Sequence, residues 1–104
     1  MGRKRISGCY IPPDRVAHIG RHGVDPEEVH EVLENEEYSA VWLRTKSRGK
    51  SLAYVVLGRT AAGRYLTIPG VVFSEEPLKD CFMPATARDM DDSERRLYHK
   101  SRGE

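Results

Sequence analysis

The sequence has little of what marks a secreted, membrane-borne or metal-caged protein. It contains two cysteines, Cys9 and Cys81, too few for a disulfide framework or a zinc cage, and they read as reduced thiols. Its longest apolar run, Leu52–Leu57, is six residues, whereas a membrane-spanning helix needs about 20. Arg3, Lys4 and Arg5 have no apolar stretch behind them, so no signal peptide is read and the expected location is the cytoplasm. Internal repeats and low-complexity tracts are absent, as is a Gly-x-Ser-x-Gly elbow. What remains, at 104 residues with 38% hydrophobic and 32% charged, is one small domain able to bury a single core. A large cofactor fold does not fit in it.

Acid is missing from a long central stretch. Residues 38–74 carry six basic and no acidic side chains, whereas residues 25–37 carry seven acidic and none basic. The net charge is +1, so the asymmetry lies in the distribution. Such segregation suits a surface facing a polyanion, although acidic helix and basic strands can also neutralise each other across a fold.

Residues 1–10 read as a basic N-terminal arm, and 11–104 as a single domain. Pro12–Pro13–Asp14 opens a helix, since proline suits a first turn that needs no amide donor, and Gly23 ends it. Asp25, Pro26 and Glu28 form a capping box for a second helix with the apolar stripe Val29, Val32 and Leu33. From Tyr38 the period becomes two. Ala40, Trp42, Arg44 and Lys46 share one strand face and Val41, Leu43 and Thr45 the other. A turn is expected at 47–50, a central strand at 51–57 and another turn at 58–63. The third strand, 64–68, is expected to break at Pro69–Gly70 and resume at 71–73. Residues 81–86, with Pro84, read as a bent or edge strand. Asp91 and Glu94 cap a last helix running through Leu97 to about Ser101. The predicted class is α+β: a small antiparallel sheet of about four strands with two N-terminal helices and one C-terminal helix, in the order α-α-β-β-β-β-α.

His18 and His22 stack at i, i+4 on one helix face, but no third ligand or zincin glutamate accompanies them, so no metal is expected. Gly58–Arg64 lacks the Lys-Ser/Thr end of a phosphate loop and leads into a strand; it reads as a turn presenting Arg59 and Arg64. The arginines are the stronger lead. Arg44 and Lys46 share a face with Trp42, which fits either a half-buried core position or a platform for an unpaired base. Arg88 lies between the last strand and the last helix. Guanidinium groups bind phosphate bidentately.

Three blocks resemble the BrnT-like toxins of the wider RelE superfamily. They are His18-Ile-Gly-Arg21-His22-Gly23-Val24-Asp-Pro-Glu-Glu-Val29; Leu57-Gly58-Arg59-Thr60 with Gly63-Arg64-Tyr65-Leu66; and Thr86-Ala87-Arg88-Asp89-Met90 with Ser93-Glu94-Arg95-Arg96-Leu97-Tyr98. The resemblance spans residues 11–100. It implies the toxin half of a bacterial type II toxin–antitoxin pair, a small sheet with packed helices, metal-independent cleavage of RNA without a cofactor, and a small antitoxin partner. By position it offers Arg21 and His22, Arg59 with Arg64, and Arg88 as functional residues; the need of RNA cleavage for a proton carrier and for cations at the phosphate assigns catalysis to His22, Arg59 and Arg88. Arg21, Arg64 and, from the strand reading, Trp42, Arg44 and Lys46 would hold RNA. The rival is a non-catalytic RNA-binding or protein-interaction module on the same fold.

Overall fold

The computed structural model describes residues 6–47, 49 and 51–104. Residues 1–5 of the expected arm, and Arg48 and Lys50 of the expected turn, lie outside the described residues. The chain is α+β. In order it forms β1 (Gly8–Cys9), α1 (Pro13–Gly20), α2 (Pro26–Glu34), β2 (Val41–Arg44), β3 (Leu52–Arg59), β4 (Tyr65–Val72), β5 (Cys81–Pro84), β6 (Arg88–Asp89) and α3 (Asp92–Ser101). The sheet is six-stranded and mixed, in spatial order β1-β5-β4-β3-β2, with β6 following β5 along the edge of β4. Among the described residues, β1 alone runs parallel to its neighbour, β5; the other pairs are antiparallel.

Three points differ from the expectation. First, part of the arm is a strand: Gly8 and Cys9 pair with Cys81 and Phe82. Second, β6 is an additional two-residue strand, with Arg88 opposite Thr67 and Asp89 opposite Leu66. Third, β4 runs unbroken through Pro69–Gly70. Pro69 accepts a bond from the Ala85 amide at 2.8 Å, so its carbonyl faces the β5–β6 side. The N–H and C=O of one strand residue point the same way. The donor that proline lacks therefore falls where β5 ends and the chain crosses to β6. Gly70 is needed beside it, because a Cβ there would lie 2.5 Å from the Met83 carbonyl oxygen and 2.6 Å from the Phe82 ring.

Both sheet faces are covered. On one, α1, α2 and the turn between them deliver Ile19, Val29, Val32 and Val24 onto Trp42, Tyr54, Val56, Leu66, Ile68 and Phe82. On the other, α3 places Tyr98, fully buried, on Val41, Leu57 and Met90. Both capping boxes form as the sequence predicts, at Asp25/Glu28 and Asp91/Glu94. At Gly23, φ is 72°. The Val24 amide donates to the Ile19 carbonyl and the Gly23 amide to Gly20, the paired bonds of a left-handed helix stop. Ile19 and Val24 then bury against each other's neighbours in the core.

Candidate nucleic-acid interface

Arg59 and Tyr65 are register partners at the end of the β3–β4 hairpin, so their side chains leave the same face of the sheet. It is the face that α3 covers. Along α3, Arg95, Tyr98, His99 and Arg102 recur at i, i+3, i+4, i+7 and form one stripe, with Arg102 just past the last helical residue. The result is a cluster of cations and rings. The Arg59 guanidinium lies 3.9 Å from the Tyr38 ring centre and 5.0 Å from that of Tyr65. Its Nε donates to the Tyr98 hydroxyl at 3.3 Å. Arg95 stacks over Tyr65 at 4.0 Å. His99 meets Tyr65 with ring centres 5.6 Å apart, and Arg102 lies 5.5 Å from the Tyr98 ring centre.

Each cation–π contact contributes from about 0.5 kcal/mol when exposed to about 2 kcal/mol when desolvated. Arg59 is near the upper end, with 16% of its side chain exposed. Burial opposes its charge, but the hydrogen bond to the Tyr98 hydroxyl, with Tyr65 and the Glu104 carboxylate nearby, more than offsets this and holds its pKa above the ordinary value. Glu104 joins the cluster. The His99 Nδ1–H donates to its carboxylate at 2.5 Å and the Arg102 Nε donates at 3.1 Å. Those two bonds hold the Glu104 pKa below the usual carboxylate range. An ionised carboxylate accepts only, so the proton of neutral His99 is on Nδ1 and Nε2 keeps its lone pair.

The other expected site residues are dispersed. Arg64 is on the opposite face, tying the chain together: it donates to the Gly23 carbonyl, to Glu28 and to Asp89, each at 2.8–2.9 Å. Arg88 shares the α3 face with Arg59, but both its terminal nitrogens bind Glu94, at 2.7 and 2.8 Å. Arg21 and His22 are exposed at the end of α1, on the Arg64 side of the sheet. The His22 ring meets the His18 ring edge-on, 5.4 Å between centres. Trp42 is 6% exposed and edge-on to Tyr54 and Phe82, so it is a core residue with no free ring face for a base. Arg44 is exposed, 5.6 Å from the Tyr54 ring centre. It pairs with Tyr54, five residues along β3 from Arg59, or about 17 Å away. Lys46 is exposed beyond β2.

Of the expected set, then, Arg59 alone sits in the cation–tyrosine cluster. Sequence reasoning missed Tyr38, Tyr65, Arg95, Tyr98, His99, Arg102 and Glu104. The signal was the helical spacing of 95, 98, 99 and 102; it puts Tyr98 inward, whereas Leu97 is 42% exposed. A hollow of about 630 Å³ lies between the end of α2 and the β3–β4 turn. Glu31, Glu34, Glu36 and Glu37 line it together with Tyr38 and Arg59, so the hollow borders the cluster and its acidic side disfavours phosphate. Among the described residues, no group of three or more His, Cys, Asp or Glu is placed to hold a metal, and no helix is long and apolar enough to cross a membrane. No protein-family model matches the chain, and no curated protein matches it.

Proposed function

We propose that this chain is a BrnT-like toxin of the RelE superfamily, the toxic half of a bacterial type II toxin–antitoxin pair. It acts in the cytoplasm as a metal-independent endoribonuclease. The observation that carries the cleavage reading is the α3 face: Arg59, Arg95 and Arg102 stacked on tyrosines, with His99 beside them. Guanidinium planes on aromatic rings suit unpaired bases and their phosphates.

RNA supplies its own nucleophile. The 2′-oxygen attacks phosphorus and the 5′-oxygen leaves, giving a 2′,3′-cyclic phosphate. His99 takes the 2′-hydroxyl proton on Nε2, and water gives a proton to the departing oxygen. Such proton transfer contributes about 10²–10⁴-fold. Arg59 and Arg102 hold an adjoining backbone phosphate of the strand and so set the 2′-hydroxyl against Nε2. In this assignment His99 takes the proton-transfer role that the sequence suggested for His22. Arg88, bound to Glu94, holds the start of α3. The partner is a small antitoxin with an acidic segment that covers the cationic face.

The test is expression of the chain alone in bacteria, with RNA length followed in the cells, on purified RNA and on translating ribosomes. Arrested growth with shortened RNA is expected, and Arg59→Ala relieves both. Unimpaired growth and intact RNA with well-folded protein would overturn the proposal. Retention of RNA at unchanged length would point to the non-catalytic RNA-binding module.

A further inference from the structure

The helix stop at Gly23 is repeated at Gly103. There φ is 81°, the Glu104 amide donates to the His99 carbonyl and the Gly103 amide to Lys100. In this motif the residue after the glycine commonly rests on the residue five positions back through an apolar contact. After α1 that pair is Val24 and Ile19, both buried. After α3 the pair is Glu104 and His99, and an ionic hydrogen bond replaces the apolar contact. The backbone bonds would form with any residue at 104. The carboxylate is a separate feature.

That carboxylate collects cations from separate parts of the fold. One oxygen accepts from His99 Nδ1 at 2.5 Å and stands 3.8 Å from Arg59 Nη2; the other accepts from Arg102 Nε at 3.1 Å. Two anionic oxygens held by two guanidinium groups and an imidazole is also how a phosphodiester would be held. Glu104 is 38% exposed, so solvent reaches it and a competing anion can replace it. Arg95, stacked on Tyr65 beside the same histidine, is exposed and offers the outer face of its guanidinium to the adjoining base.

We propose that the seat filled by the Glu104 carboxylate is the binding site for a backbone phosphate of single-stranded RNA, and that Glu104 is its built-in competitor. This rests on the RNA reading above and deepens it by naming the phosphate seat. The Nδ1–H that Glu104 accepts passes to a phosphate oxygen, and the His99 Nε2 stays free.

The test measures binding of a fluorescent 2′-O-methyl RNA oligonucleotide, which lacks the nucleophile and stays whole. Inorganic phosphate is titrated in parallel, read from the His99 ring resonances. A site open about one-tenth of the time binds about tenfold more weakly than its intrinsic affinity. Glu104→Gln is therefore expected to tighten both ligands about tenfold. Gly103→Ala, which disfavours the left-handed turn and loosens Glu104, is expected to tighten both by a smaller factor. Asp92→Asn, at the far end of α3, removes the same charge and is expected to change binding less than twofold. Arg102→Ala added to Glu104→Gln should cancel the gain. Equal gains from Asp92→Asn and Glu104→Gln, no gain from Glu104→Gln, or a gain that survives Arg102→Ala would overturn the proposal. A gain for inorganic phosphate without one for RNA would overturn the assignment to RNA. Wild-type protein that leaves ordinary RNA uncut overturns the ribonuclease reading only, because the 2′-O-methyl result does not depend on cleavage.

Discussion

Arg88 and Glu94 form the best-aligned ion pair in the described fold, and removing each partner should have different consequences. The guanidinium and carboxylate meet in parallel at 2.7 and 2.8 Å. Arg88 is 43% exposed and Glu94 19%. Solvent around Arg88 screens the pair, so its coupling is about 1 kcal/mol, the upper part of the range for pairs that water reaches. Glu94 has a second role: its Oε1 accepts the Asp91 amide at 2.9 Å and so closes the capping box of α3. Loss of a cap costs about 1 kcal/mol more. Arg88→Ala should therefore destabilise by about 1 kcal/mol and Glu94→Ala by about 2 kcal/mol. Each kilocalorie lowers the melting temperature of a domain this size by about 4–8 °C. A double-mutant cycle followed by circular dichroism isolates the pair, and folded Arg88→Ala should cut RNA at the wild-type rate. A coupling below about 0.3 kcal/mol, equal losses from the two substitutions, or cleavage abolished in folded Arg88→Ala would refute the reasoning.

Three further outcomes follow from the packing and charges. Gly58 faces α2, and a Cβ there would come 2.6 Å from Val32 Cγ1 and 3.3 Å from Ala40 Cβ; Gly58→Ala should cost about 1–3 kcal/mol by overpacking, read from urea unfolding. The carboxyl of Asp89 is held low by its hydrogen bond from Arg64, and that of Glu94 by Arg88. Groups whose folded pKa is depressed stabilise above their unfolded value and lose that contribution as pH falls through the folded one. The melting temperature should thus drop below about pH 4, and Arg64→Ala with Arg88→Ala should flatten that drop; an unchanged acid limb would contradict it. Burial, with smaller contributions from Cys81 and Glu34, pushes the Cys9 thiol up to about 11. At pH 8 its thiolate fraction is then about 100-fold below that of an ordinary thiol. Cys9 in a Cys81→Ser protein should react correspondingly slowly with a thiol reagent, and reaction at the free-cysteine rate would refute this.

How much of the molecule was legible in the sequence follows from the range of each interaction. The starts of α2 and α3 and the stop at Gly23 are set by residues within five positions, and reading them locally works. Strands β1 and β6 have two residues each and take their partners from β5 and β4, so no local pattern marks them. Pro69–Gly70 looks like a break because the partner that leaves β4 there is more than a dozen residues away in sequence. Alternation correctly grouped Trp42 with Arg44. It left open which face a helix covers, and here helices cover both, so Trp42 is core and Arg44 lies beyond the cover. The α3 cluster shows the converse. Its polar stripe carried the right period, but a polar stripe also fits a solvated face until β3 and β4 bring Arg59 and Tyr65 against it.

The most direct measurement is the single-turnover cleavage rate of RNA by folded His99→Gln and His22→Gln, with RNA affinity measured beside it. His99→Gln should lose about 10²–10⁴-fold in rate at saturating RNA, and His22→Gln should retain both rate and affinity. A collapse of cleavage in His22→Gln with His99→Gln unimpaired would contradict the assignment of the active face to α3.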